Sequence, residues 1–241
     1  MSIRQFSLPL IASIVLLGTS PAYAQAQAGS SASLASNQQL IEGEFVRSTY
    51  LEALRRTHSP YASFKQGRGG VMTIRVEKRD GNTGFAFEWN FHEGDVFRHL
   101  SRDGQFIIYE EDKDYLGPTR IQITSSESFT LSGDKDVAGR FDRMPDFQNF
   151  LNRQTVAGTY QDQKGNRYVF KPEGVAVFPD REFKYAIGTD HIGAPYDWIR
   201  AGSETWGYKI SGAKLSFFRE SDRDSNKFLS RPFLRLSRIG N

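Results

Sequence analysis

The chain has 241 residues, with 31 Lys and Arg against 28 Asp and Glu, a formal net charge of +3 and no cysteine. The lack of cysteine argues against disulfides, thiolate metal sites and a cysteine-borne lipid anchor, so the fold must rest on its apolar core. Basic and acidic residues alternate throughout, and without a basic stripe no nucleic-acid surface is expected.

Residues 1–24 read as a Sec-type signal peptide. Arg4 supplies a positive start, and Ala22 and Ala24 form the small-x-small pattern read by signal peptidase. The apolar run from Phe6 to Leu17 between them is shorter than the roughly 20 residues a bilayer span needs. No twin arginine is present, which favours Sec over Tat export. A periplasmic or secreted protein is therefore expected, cleaved near Ala24. Residues 25–38, mostly Gln, Ala, Ser and Gly, read as a flexible linker. No later segment is apolar for long enough to predict a membrane span.

Residues 39–133 are expected to hold a helix and a first β-meander. Over Glu42 to Thr57, Val46, Tyr50 and Leu54 recur at i, i+4 and i+8 with Ala53 beside them, the stripe of an amphipathic helix. Pro60 marks its end. After Gly69-Gly70 the period becomes two: Met72, Ile74 and Val76 face one way, Thr73, Arg75 and Glu77 the other. A turn at Arg79-Asp80-Gly81-Asn82 leads to Phe85, Phe87, Trp89 and Phe91, an aromatic face on one strand. Further strands are expected around Val96 to Leu100, Gln105 to Glu110, Thr119 to Thr124 and Ser128 to Leu131.

Residues 134–154 read as a connector with a short linking helix, where Phe147, Phe150 and Leu151 share a face. Residues 155–241 form a second meander, with strands near Ala157–Gln161, Arg167–Lys171, Val175–Phe178, Lys184–Ile187, Trp206–Ile210, Lys214–Arg219 and Phe233–Ser237. Many short strands without βαβ alternation predict a mainly β fold, a sandwich or barrel. Whether the two meanders close separately or jointly stays open at this level.

The second meander opens Ala157-Gly158-Thr159-Tyr160-Gln161-Asp162, followed by Gly165 to Phe170 and by Gly207 to Leu215. Over residues 157–237 these phrases resemble lipocalin-like (calycin-type) β-barrel proteins of the bacterial envelope. The resemblance implies antiparallel meanders forming one or more lipocalin-like barrels, with Tyr160 plugging the floor where the family usually has Trp. It also implies a cup able to hold a small apolar molecule. A turn glycine followed by a core aromatic accounts for Gly158 and Tyr160 equally well.

Glu88-Trp89-Asn90-Phe91-His92-Glu93-Gly94 is the most distinctive phrase for chemistry. With the aromatics facing the core, Glu88, Asn90 and His92 would share the opposite face, where His92 could act in acid–base work oriented by Glu88. These two are the candidate catalytic residues; Trp89, Asn90, His92 and Tyr160 are the candidate ligand-binding residues. A solvated strand face explains the same row, and the sequence places no second carboxylate beside it. Asp190-His191 begins a loop, residues 188–202, that also carries Tyr196, Asp197 and Trp198; loops of this length often carry function. The four histidines, His58, His92, His99 and His191, lack metal-ligand spacing, and no serine-hydrolase elbow, dinucleotide or Walker motif occurs. No metal and no cofactor are expected. The leading expectation is a non-enzymatic exported barrel protein that binds a small apolar ligand or an envelope partner protein. The alternatives are a hydrolase or isomerase using His92, and a protein-interaction module presenting a strand edge or aromatic patch.

Overall fold

A computed structural model describes residues 40–240 apart from 68–69, 80, 92, 101–105, 109–118, 134, 192–194 and 222–223. Residues 1–24 and 25–38, read above as signal peptide and linker, therefore lie outside the described residues. Alternating apolar and polar side chains build the first half into eight antiparallel strands. They are β1 (Gly43–Arg47), β2 (Val71–Arg79), β3 (Asn82–Trp89), β4 (Glu93–Leu100), β5 (Phe106–Ile108), β6 (Thr119–Ser125), β7 (Ser128–Ser132) and β8 (Gly139–Arg143). Each pairs with the next, and β8 returns to β1, closing a barrel. Its interior is occupied by rings: Phe129 lies 5.0 Å from Phe45, 5.6 Å from Phe141 and 6.1 Å from Phe85, centroid to centroid. Phe87, Ile74, Val76, Ile121 and Leu131 are buried with them.

The second half forms a nine-stranded sheet from β9 (Gly158–Gln161), β10 (Arg167–Lys171), β11 (Val175–Val177), β12 (Glu182–Ile187), β13 (Trp198–Ala201), β14 (Glu204–Ser211), β15 (Lys214–Ser221), β16 (Asp224–Phe228) and β17 (Leu234–Gly240). Its order is β14-β13-β12-β11-β10-β9-β17-β15-β16. Because β14 also pairs with β15, eight of these strands follow one another in a ring, and β16 extends from the far end of β15. The inward positions again carry rings, among them Tyr160, Phe170, Tyr185, Trp206 and Phe217. Every strand pairing among the described residues stays within one sheet. The cup implied by the family resemblance is thus filled by aromatic side chains in both halves.

Three helices join the halves, which belong to one compact unit. Helices α1 (Ser48–Thr57) and α2 (Pro60–Gly67) form the β1–β2 connection, and α3 (Phe147–Gln154) precedes β9. Asp146 caps α3 by accepting the Asn149 N–H at 3.2 Å. Tyr50, Leu51 and Leu54 of α1 are buried in the core of the second sheet, together with Phe147 and Leu151 of α3.

Several sequence expectations shift: residues 139–143 of the expected connector form β8, and residues 198–201 of the expected loop form β13. The stretch from Gly43 to Arg47 is a strand, and the helix starts only at Ser48. The first helix does end at Thr57, before Ser59-Pro60, but Pro60 then opens a second helix, α2, because proline lacks an N–H that the first helical position does not need. A register shift between Val71 and Thr73 turns Val71 into the first barrel, while Met72 joins the other core; the extra residue of a bulge reverses alternation. The aromatic row of β3 ends at Trp89, since Asn90 and Phe91 take left-handed backbone conformations (φ 55° and 66°).

The two halves close in the same way. Gly43 opens β1 at φ 147° and Gly158 opens β9 at φ 152°. Two residues on, Phe45 stands opposite Arg143 of the last strand of its barrel, and Tyr160 opposite Arg238 of the last strand of its ring. Each guanidinium lies against the glycine, 3.1 Å from where a Cβ would sit, and donates to the carbonyl just before it: Arg143 Nη2 to Glu42 O at 3.2 Å, Arg238 Nη2 to Ala157 O at 2.8 Å.

Candidate functional site

The candidate residues of β3 do not converge as a site with Tyr160. Trp89 packs on Phe87 within the first core, and the Arg98 guanidinium lies 4.5 Å from the Phe87 ring centre and 5.9 Å from that of Trp89. Asn90 sits in the left-handed turn, and Phe91 leaves the barrel to meet Tyr50 at 4.9 Å and Phe147 at 5.5 Å. His92 lies outside the described residues. Glu88 accepts a 2.7 Å hydrogen bond from the buried Thr73 Oγ1. A second carboxylate does stand near it. Glu44 has its pKa pushed up to about 7, first by burial and then by the charge of Glu88, with Arg75 opposing. The helical reading of residues 42–47 hid this neighbour: as a strand, β1 sets Glu44 opposite Arg75 of β2, next to β3.

Tyr160 is wholly engaged within its own sheet. Its hydroxyl donates to Val156 O at 2.9 Å and accepts from Arg238 Nη2 at 3.0 Å. It borders a cavity of about 240 Å³ with His58, Arg153 and Arg238.

A larger cleft, about 700 Å³, opens on the flank of the second sheet between α2, residues 195–197, β14, β15 and β16. Its lining is largely aromatic: Tyr61, Tyr196, Tyr208, Phe218 and Phe228, with Leu229 beside them and Asp197 as the carboxylate. Local chemistry brings these groups together. Ser59 starts α2 by accepting the Ala62 N–H at 3.0 Å, and Asp197 accepts the next free amide, Tyr61 N–H, at 2.8 Å from 136 residues away. Asp197 also binds β14, because its carbonyl accepts the Tyr208 N–H at 2.9 Å. The loop before it folds back where Trp198 Nε1 donates to Asp190 O at 2.9 Å. Gly188 makes room there, since a Cβ would fall 2.0 Å from the Trp198 ring. Gly207 does the same for Phe228, whose ring lies on the bare strand and meets Tyr196 at 4.3 Å.

Burial pushes the Asp197 pKa up to about 6, while hydrogen bonds from Ser59 and the Tyr61 amide pull the other way. Burial, joined by the charge of Asp197, also raises the hydroxyls of Tyr50 and Tyr208. His191, the other residue singled out in this loop, is buried against the rings of Tyr61 (5.5 Å) and Phe64 (5.7 Å) and fastens α2 to the loop. The loop singled out by Asp190-His191 is the one that borders the cleft. The group it delivers to the cleft is Asp197, and the opposing wall comes from α2, to which the sequence reading assigned no element.

Among the described residues no group of three or more His, Asp or Glu is placed to hold a metal ion, and no helix is long and apolar enough to cross a membrane. The arrangement can bury an apolar body between rings and offer it one carboxylate. No family model, no curated protein and no solved structure matches this chain, so the reading of function rests on this geometry.

Proposed function

We propose that this chain is an exported, lipocalin-like binding protein that takes a small apolar ligand in the flank cleft. The observation that carries the reading is the 700 Å³ volume walled by Tyr61, Tyr196, Tyr208, Phe218, Phe228 and Leu229, a size and lining suited to small-molecule binding. The closed eight-stranded barrel agrees with the lipocalin-like part of the reading, and the composition of residues 1–24 supports export. The ligand sits outside the barrels in this reading, because aromatic side chains occupy both interiors.

Titration with the neutral fluorophore N-phenyl-1-naphthylamine tests it. Saturable binding is expected, lost on Leu229→Asp in the cleft and kept on Ile41→Asp, since both side chains are exposed and tolerate charge without unfolding. No saturable binding, or equal loss from both variants, refutes the cleft. Amino-terminal sequencing of the protein from periplasmic extract checks export, with a start near Gln25 expected.

The Glu44–Glu88 pair favours a second reading, acid–base catalysis on the outer face of the first barrel. A hydrolase or isomerase activity abolished by Glu88→Gln would establish it; retention of that activity in the variant would end it.

A further inference from the structure

The cleft lining divides by chemistry, and on the binding role proposed above that division names a ligand class. Its walls present the rings of Tyr61, Tyr196, Phe218 and Phe228. Aromatic faces attract cations that come within about 6 Å of the ring centre. The Tyr61 ring already does so, with the Lys65 ammonium 5.4 Å from its centre. Amid these rings stands the Asp197 carboxylate, whose hydrogen-bond donors are the neutral Tyr61 amide and Ser59 hydroxyl. Two lysines, Lys209 and Lys227, belong to the lining and Lys65 stands beside it on α2; all three residues are exposed, and none is among the groups that set the ionisation of Asp197. A carboxylate in apolar surroundings is stabilised by an opposite charge within about 4–6 Å. The rings favour a charge of that same sign.

We infer that the cleft takes an apolar molecule bearing an organic ammonium head, the head toward Asp197 and the body against Phe218, Phe228 and Leu229. A carboxylate-headed amphiphile of equal bulk would instead meet Asp197 as a like charge. An alcohol of equal bulk would gain the apolar walls alone.

Calorimetric titration of the full mature chain at pH 8 with benzyltrimethylammonium, benzyl alcohol and phenylacetate separates these cases. The ammonium is expected to bind at least tenfold more tightly than the alcohol, and phenylacetate most weakly. Asp197→Asn keeps an oxygen for the Tyr61 amide and is expected to erase the ammonium preference while leaving the alcohol within twofold. On the unaltered protein, lowering the pH from 8 to 5 protonates Asp197 and should weaken ammonium binding tenfold, with the alcohol unchanged; this arm stands even where the variant fails to fold. An alcohol that matches or beats the ammonium, or an ammonium affinity indifferent to both pH and Asp197→Asn, overturns the inference and leaves the binding role intact. Silence from all three probes, together with no uptake of the naphthylamine, overturns both.

Discussion

The two halves share a closing device and put their connections to different use. In each, a glycine, one residue and an aromatic open the first strand, and an arginine on the last strand lies over the glycine. In the first barrel the aromatic is Phe45 and the arginine turns outward to Glu127 at 3.3 Å. In the second, Tyr160 accepts from the arginine, whose guanidinium also lies 5.3 Å from the ring centre. The larger difference follows the opening strand. From β9 the chain turns back within residues 162–166 around the Asp162 carboxylate, which accepts the amides of Lys164 and Asn166. From β1 it leaves on α1 and α2, buries three side chains in the other core and walls the cleft. Ring closure is therefore a local device that repeats, whereas the candidate site arises where one connection is long.

That comparison can be broken at its core first. Phe129→Ala should cost about 3–5 kcal/mol, the usual range for deleting a buried ring, and its hydrogen-exchange losses should begin in β1–β8. Tyr50→Ala should cost a similar amount yet lower protection first in the second sheet, although it lies between β1 and β2 in sequence. Losses confined to the first barrel would show that α1 does not belong to the second core. Next come the glycines. Gly43→Ala and Gly158→Ala each place a Cβ at a positive φ and against an arginine, at a cost of about 1–3 kcal/mol. Equal costs by chemical denaturation are expected if the two closures are equivalent, and a neutral result at either refutes that one.

The pH dependence separates the halves by one acid each. Burial raises Glu44 to about 7 in the first and Asp197 to about 6 in the second, above their ordinary values of 4.5 and 3.8. A carboxyl held this way binds its proton more tightly folded than unfolded, so its contribution falls as pH rises from about 4 to about 7. Allowing for their partial exposure, each should remove about 1–2 kcal/mol over that interval. Glu44→Gln and Asp197→Asn should each flatten the curve in part, and a wild-type profile with the same slope as the double variant excludes this assignment. The smallest effect sharpens the comparison most. Tyr160→Phe makes the second closure resemble the first and should cost about 1 kcal/mol through its lost hydroxyl bonds; thermal unfolding indistinguishable from wild type would mean that Arg238 needs only the ring.

Period-two alternation made most strands legible, because each buries one face. What was lost lies where alternation breaks or where two elements share one burial pattern. Val46, Tyr50 and Leu54 do lie in one cluster, yet one comes from a strand and two from a helix, so the stripe was real as packing and misleading as a single element. The bulge at Val71–Thr73 and the left-handed pair Asn90-Phe91 leave no mark in a hydrophobic pattern. Phe91 consequently read as a continuation of β3. Asp197 was visible as a polar residue in a long loop, but its meaning depends on an amide donor 136 residues away. Gly-x-aromatic recurs at Gly43, Gly104, Gly139 and Gly158, so the phrase alone does not single out the two strands that close a ring.

The excursion of α1 out of the first barrel has a thermodynamic corollary. Two independent hydrogen-bonded rings would ordinarily melt as two units. Here β1 and β2 cannot separate without loosening the helix between them, and that helix carries Tyr50, Leu51 and Leu54 into the neighbouring interior. Fraying of the first barrel thus uncovers apolar surface in the second, which links the two equilibria. A fragment beginning at residue 144 would carry every strand of its ring and still lack part of its own core, so the halves complement each other as subunits of an obligate dimer do, within a single chain.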